Sequence, residues 1–213
     1  MGVKRFDGRR CVVAGQGEIA VAVAVRLGAE GATLAVLDAD PQTLATDAGA
    51  SATVARALAQ LGGVDVLVTA FHTRVDRPFL EIDDELWERS LDGNLKCAFL
   101  VGRECARAMV EAKSGVIVHV GSDVAARPGP GTAAYAAAKA GVHLMTTCMA
   151  LDLAPDGVRV CAVAACEDGS EWPAPAGLGS EDVAAAVAFC ASPEASYVLG
   201  STFYLNGPLP VRG

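Results

Sequence analysis

Short, nearly continuous apolar runs rich in Val, Leu and Ile alternate along this chain with longer Ala-rich stretches whose apolar positions recur at helical spacing. The short runs predict strands at 11–14, 33–37, 64–68, 116–120, 158–163 and 202–205. The longer stretches predict helices at 18–30, 52–61, 84–112, 133–153 and 182–190, the longest of them bent near Gly93-Asn94. Gly15, Gly31 and Pro155-Asp156-Gly157 mark joints between elements. Strands that are apolar throughout and separated by helices predict a parallel sheet covered on both faces, within a single α/β domain spanning residues 1–213. A doubly wound sheet of this kind takes its ligand at the carboxyl ends of its strands. The informative residues should therefore follow Ala14, Leu37, Val68, Val120 and Val163.

Composition narrows the function classes. The chain has 213 residues, 52% of them hydrophobic, and a formal net charge of −8. An acidic surface repels phosphate backbones, which argues against nucleic acid as a partner. The longest uncharged run, from Ala195 to Val211, is interrupted by Gly200, Asn206, Gly207, Pro208 and Pro210. It falls short of the ~20 apolar residues that a membrane span needs. No leader segment is visible, and the seven cysteines are scattered and lack any Cys-x-x-Cys pair. They read as reduced, buried thiols of a cytoplasmic protein rather than as disulfides or a metal site.

After the first predicted strand comes Gly15-Gln16-Gly17-Glu18-Ile19-Ala20, a G-x-G-x-x-A pattern. Glycine lets the backbone approach a pyrophosphate, and the helix that follows offers unpaired N–H groups to it. Gly15, Gln16, Gly17 and Ile19 are thus candidate cofactor contacts. Asp38 closes the second strand, where a carboxylate accepts hydrogen bonds from an adenosine ribose and repels a 2′-phosphate, which favours NAD over NADP. Glu18 counts against this reading, because its carboxylate competes with a phosphate at the helix start. The bland alternative is a glycine turn and a solvated Asp that bind nothing.

A second constellation lies downstream. Tyr135 and Lys139 are one turn apart on one helix face. An ammonium there favours the phenolate and makes Tyr135 a usable proton donor or acceptor near neutral pH. Ser122, thirteen residues earlier, ends a strand and can hold a substrate oxygen. With these residues in view, the sequence resembles the short-chain dehydrogenase/reductase family over nearly its whole length. Further stretches carry the likeness: residues 87–95 around Trp87 and Asn94, 134–141 around Tyr135 and Lys139, 151–160, and 181 onward from Glu181-Asp182-Val183-Ala184. The resemblance implies a Rossmann-type fold. It also implies Tyr135 as general acid/base, Lys139 as its modulator and as a holder of the nicotinamide ribose, Ser122 on the substrate oxygen, and Asn94 completing a proton relay through water. Hydride would pass between nicotinamide and an alcohol or ketone carbon.

The chain departs from that family at four places, all bearing on ligands. The glycine loop is one residue shorter than the family's. The segment from Asp40 to Val54 is too short for the family's extra helix and third strand, so one edge strand is lost and six remain. Thr69-Ala70-Phe71-His72 replaces an Asn-Asn-Ala-Gly stretch, putting two rings beside the cleft. The Pro-Gly turn and following Thr after the sixth family strand give way to Ala165-Cys166-Glu167-Asp168, followed by a Gly/Pro-rich loop up to Ser180. Three readings stay open: an NAD(H)-dependent oxidoreductase of a small or acyl-type alcohol or ketone; a cofactor-free subunit paired with an active homologue; and a non-redox acid/base enzyme.

Other residues weigh less. His119 and His143 read as packing residues, and His72 either contacts a ligand or blocks it. Trp87 and Phe99 read as core or interface, and Trp172 as a loop anchor or a cover over substrate. Arg74, Arg77 and Arg127 read either as contacts for an acyl-carrier or coenzyme A phosphate or, the favoured reading, as solvated surface charge. The family likeness further implies a homodimer or homotetramer through the helices at 84–112 and 133–153, with Cys97, Leu100, Val101, Met145 and Met149 near the axis, and a second contact along 197–213.

Overall fold

A computed structural model describes residues 4–166 and 179–205; Trp172 and most of the loop before Ser180 lie outside them. Six strands, β1 (Arg10–Gly15), β2 (Thr33–Leu37), β3 (Val66–Ala70), β4 (Gly115–Ser122), β5 (Val158–Ala165) and β6 (Thr202–Leu205), form one sheet in the order β2-β1-β3-β4-β5-β6. Every neighbouring pair is parallel. The expected α/β domain of Rossmann type is therefore present, and β2 stands at an edge, as the short 40–54 segment requires.

The helices are α1 (Glu18–Ala29), α2 (Pro41–Leu44), α3 (Asp47–Leu61), α4 (Asp84–Leu91), α5 (Cys97–Glu111), α6 (Ala133–Leu153) and α7 (Ser180–Ala191). They sort to two faces by the period of the strands. Val12, Ala14, Leu67, Ile117 and Val160 point into one core with α3, α5 and α6. Cys11, Val13, Val68, Val118, Val120 and Val163 point into the other with α1 and α7. Burial on both faces is why the strands read as continuous apolar runs.

Local chemistry adjusts the expected boundaries. The 52–61 helix begins earlier, at Asp47, because Thr46 Oγ1 accepts from Gly49 N at 3.1 Å and caps it there. The short α2, not expected, is started by Asp40, whose side chain accepts from Gln42 N, with Pro41 in its first turn. The third strand runs two residues later than expected, because Asp65 is held by Arg10 through an ion pair of 2.7 Å and accepts from the Arg10 backbone N. The bend at Gly93-Asn94 is a π-helical turn over Asp92–Lys96 joining α4 to α5.

The expected twofold-axis residues are only partly at the surface. Cys97, Leu100 and Val101 are buried inside the protomer, whereas Phe99, Leu144 and Leu151 are the exposed large apolar residues of α5 and α6. Trp87 is 40% exposed, which leaves it outside the core.

His119 on β4 is fully buried, with Nδ1 2.7 Å from Thr69 Oγ1. Burial first, and the Lys139 ammonium second, push its imidazole down to about 4 from 6.5. His143 on α6 is pushed down to about 4 by the same two causes in the same order. Both rings are neutral in the fold and take up protons on unfolding between about pH 6.5 and about pH 4, so stability falls as pH drops through that window. The urea midpoint should decline from about pH 7 to about pH 5, and His119→Asn should flatten that decline. An unchanged slope in the variant would contradict the burial argument.

Candidate active site

The chain steps outward from β1 to β2 and then returns to β3 on the other side of β1. A crevice opens at such a reversal, at the carboxyl ends of the strands. Gly15 ends β1 opposite Ala70 of β3. Its φ is 142°, and a Cβ there would stand 2.2 Å from the Ala70 carbonyl oxygen, so only glycine permits this approach. Gly17 has φ 85° and faces open space, with nothing within 4 Å of a Cβ position. No side chain caps the start of α1. Gln16 Nε2 donates to Asp38 Oδ1 at 3.0 Å, tying the glycine turn to the end of β2. The other nearby carboxylate, Asp40, is engaged in capping α2.

Across the crevice stands α6. Tyr135 is fully buried by residue and Lys139 is 2% exposed. An ammonium taken out of water must be repaid by hydrogen bonds. Lys139 Nζ donates to Phe71 O at 2.7 Å and to Val120 O at 3.3 Å, carbonyls at the ends of β3 and β4. The same Nζ lies 5.5 Å from the Tyr135 ring centroid. The Arg74 guanidinium lies 5.7 Å from that ring and is itself paired with Asp76 at 2.9 Å. Both cations thus lie beside the Tyr135 ring. Arg74, read from sequence as surface charge, therefore belongs to the site.

The Tyr135 hydroxyl is 3.2 Å from His72 Nδ1, and the two rings meet edge to face with centroids 5.5 Å apart. The partner of His72 is thus the protein's own tyrosine, a contact that neither sequence reading of this residue named. Ser122 ends β4, buried, its Oγ accepting from Val124 N at 3.2 Å. Asn94 sits in the π-helical turn. It accepts from Thr73 N at 3.0 Å and donates to Thr73 O and Ser90 O, each at 2.8 Å. Its side chain thus fixes the loop that follows β3. The structure brings Tyr135 and His72 into direct contact with Lys139 beside the tyrosine ring, while Ser122 and Asn94 are held by the chain around them. Gly15, Gln16, Gly17 and Asp38 gather at the opposite wall.

Beside the start of α1 lies a cleft of about 330 Å³ lined by Glu18, Ile19, His72, Arg74, Cys166 and Ser180, among others; the buried Tyr135 is not part of its lining and meets it through His72. It is open to solvent along the exposed side chains of Glu18 and His72. Among the described residues, no group of His, Cys, Asp and Glu is arranged to hold a metal ion. Burial pushes the thiols of Cys11, Cys97 and Cys105 up to about 12, so they are inert at neutral pH. Among the described residues, no helix is long and apolar enough to cross a membrane.

Comparison with known proteins identifies the family. The short chain dehydrogenase family model matches residues 8–167. The chain is 37% identical over 164 aligned residues to a 3-oxoacyl-(acyl-carrier-protein) reductase of Vibrio cholerae, covering 70% of this chain and 67% of that one. It is 33% identical over 204 aligned residues to the reductase of the same name from Escherichia coli, covering 88% and 81%. With the short-chain reductase protein NovJ of Streptomyces niveus the figures are 31% identity and coverage of 92% and 91%. A crystal structure assigned as a short-chain dehydrogenase/reductase of Burkholderia xenovorans superposes with a TM-score of 0.88 at 25% identity, covering 96% of this chain and 97% of that one. A family model matched over most of the chain, and relatives aligned over most of both partners, establish that this chain belongs to the short-chain dehydrogenase family.

Proposed function

We propose that this protein is a nicotinamide-dependent oxidoreductase that interconverts a ketone and an alcohol, with Tyr135 as general acid/base and NAD preferred over NADP. A single observation carries the reading: the Tyr135 ring has the Lys139 and Arg74 cations beside it, and its hydroxyl meets His72, which lines a cleft next to the uncapped, glycine-led start of α1. The residues present fit a dinucleotide. Gly15 and Gly17 keep side chains off the turn, and the first N–H groups of α1 can receive a pyrophosphate. Asp38, already oriented by Gln16, can accept from a ribose and would repel a 2′-phosphate.

A bound nicotinamide supplies or accepts hydride at the substrate carbon. The protein supplies position and the proton. The Tyr135 O–H donates to the developing alkoxide in reduction and receives the proton back in oxidation. Lys139 and Arg74 stabilise the phenolate left behind. Ser122, at the end of β4, is the candidate to orient the substrate oxygen, and Lys139 to hold a ribose hydroxyl. Asn94 keeps the β3 loop in place on one side of the reacting groups. The acyl-type 3-oxo substrates in the names of two of the relatives are the first class to assay. A small-molecule substrate, a cytoplasmic setting and assembly into dimers or tetramers, with copies of itself or with a homologous subunit, complete the reading.

Titration of NADH by fluorescence, followed by turnover of an acetoacetyl thioester, tests the proposal. Binding should be saturable and tighter for NADH than for NADPH. Tyr135→Phe should lower kcat by ~10²–10⁴-fold with binding retained. Gly17→Ala should leave the protein folded at a cost of ~1–3 kcal/mol, from a side chain held at positive φ, and should weaken NADH binding by more than ~tenfold. No binding at millimolar cofactor would overturn the redox reading in favour of a cofactor-free subunit. Turnover that needs Tyr135 and ignores NAD would favour non-redox acid/base chemistry.

A further inference from the structure

His72 is held from both sides. The carbonyl before it, Phe71 O, accepts from the Lys139 ammonium at 2.7 Å. The residue after it, Thr73, is bracketed through both backbone groups by Asn94. A Cβ on Gly93 would stand 2.5 Å from Thr73 Oγ1, so the π-helical turn and the β3 loop pack without slack. The ring itself is exposed to the cleft, and its Nδ1 is 3.2 Å from the Tyr135 hydroxyl. The loop is therefore built to present one imidazole to one phenol. An imidazole changes charge near neutral pH, and this one meets both solvent and the phenol oxygen.

One geometry serves two proton arrangements. A neutral imidazole accepts from the Tyr135 O–H at Nδ1. An imidazolium donates its Nδ1–H to a phenolate. We infer that His72 is a positioning residue of the proposed reaction, which holds the Tyr135 hydroxyl and returns to it the proton that the substrate takes. This rests on the reading of Tyr135 as the acid/base group. When the substrate oxygen takes the phenolic proton, Tyr135 is left as phenolate. The Nδ1–H of the imidazolium then passes to the phenolate and restores the O–H, leaving a neutral ring with its proton on Nε2. Solvent in the cleft returns one proton to the ring, so one proton enters for each alcohol formed. Oxidation runs the same path backwards. The groups that bear on the ring's charge come from several elements. Arg74 on its own loop and Lys139 on α6 oppose the imidazolium. Glu18 of α1 favours it, and Cys166 beyond β5 lines the same cleft.

Wild type, His72→Asn, His72→Ala and Tyr135→Phe are compared in two measurements. In the first, protein carrying carbon-13 at the tyrosine ζ position is titrated without cofactor from about pH 5 to about pH 9, a range that brackets imidazole ionisation. The Tyr135 resonance, identified by its loss in Tyr135→Phe, should move with imidazole ionisation in wild type and stay still in His72→Asn. In the second, NADH-dependent reduction of an acetoacetyl thioester is followed against pH. His72→Asn should lose the inflection in the imidazole range and ~tenfold in kcat at acid pH, with KM for NADH within ~twofold. Added imidazole should restore part of kcat in His72→Ala. A Tyr135 resonance indifferent to the titration would overturn the relay. So would a His72→Ala enzyme that keeps its pH profile and binds NADH ~tenfold tighter, the mark of a side chain that only obstructs the cleft. Wild type without turnover but with the resonance coupling intact would remove the redox reading alone, and the relay would stand on the coupling. Turnover without coupling would remove the relay alone.

Discussion

The buried ammonium of Lys139 is the constraint on which the site depends. A cation with 2% exposure is tolerable only if its protons are taken up, and the acceptors are the carbonyls of Phe71 and Val120 at the ends of two central strands. That requirement fixes α6 against the sheet in both height and rotation. Tyr135, one turn earlier on the same face, is then placed behind His72, the residue that lines the cleft. The same charge, added to burial, keeps the neighbouring His119 and His143 neutral. One interaction thus sets the height of α6 and the position of the phenol, and it adds to the burial that keeps the histidines behind it neutral.

The opposite wall is set by a steric rule. Gly15 lies against the Ala70 carbonyl, which brings β1 and β3 close at the point where the strand order reverses. The next turn carries no side chain at Gly17, and the helix start beyond it is uncapped. Between the walls runs the loop after β3, the place where this chain differs most consequentially from the pattern it resembles. Rings at Phe71 and His72 stand where small residues were expected. They do different work: Phe71 is buried in the core under α3 and α5, while its carbonyl serves the lysine, and His72 turns outward to the phenol.

Much of this architecture was legible in the sequence because it follows from periodicity. Strands buried on both faces read as apolar runs, and the short 40–54 segment correctly implied a six-stranded sheet. Tyr135 and Lys139 were legible as a pair because four residues make one helical turn. What escaped depends on tertiary contact. Arg74 is an ordinary loop arginine until the chain folds and lays it over the Tyr135 ring. The role of His72 turns on which way a single side chain points, which no local pattern encodes. Cys97, Leu100 and Val101, expected near an association axis from the family likeness, are buried within the protomer, which likeness alone does not tell. The early start of α3 followed from a threonine cap that periodicity alone does not count.

The central claim is that the cleft seats a dinucleotide between the Gly15–Gly17 turn and the Tyr135 hydroxyl. A crystal structure of the protein grown with saturating NAD tests it most directly. The account predicts the pyrophosphate over the start of α1, the adenosine ribose on Asp38 and the nicotinamide ring beside Tyr135, with the imidazole of His72 still on the phenol oxygen. A cleft closed by the side chains of Glu18 and His72, with no dinucleotide bound, would contradict it.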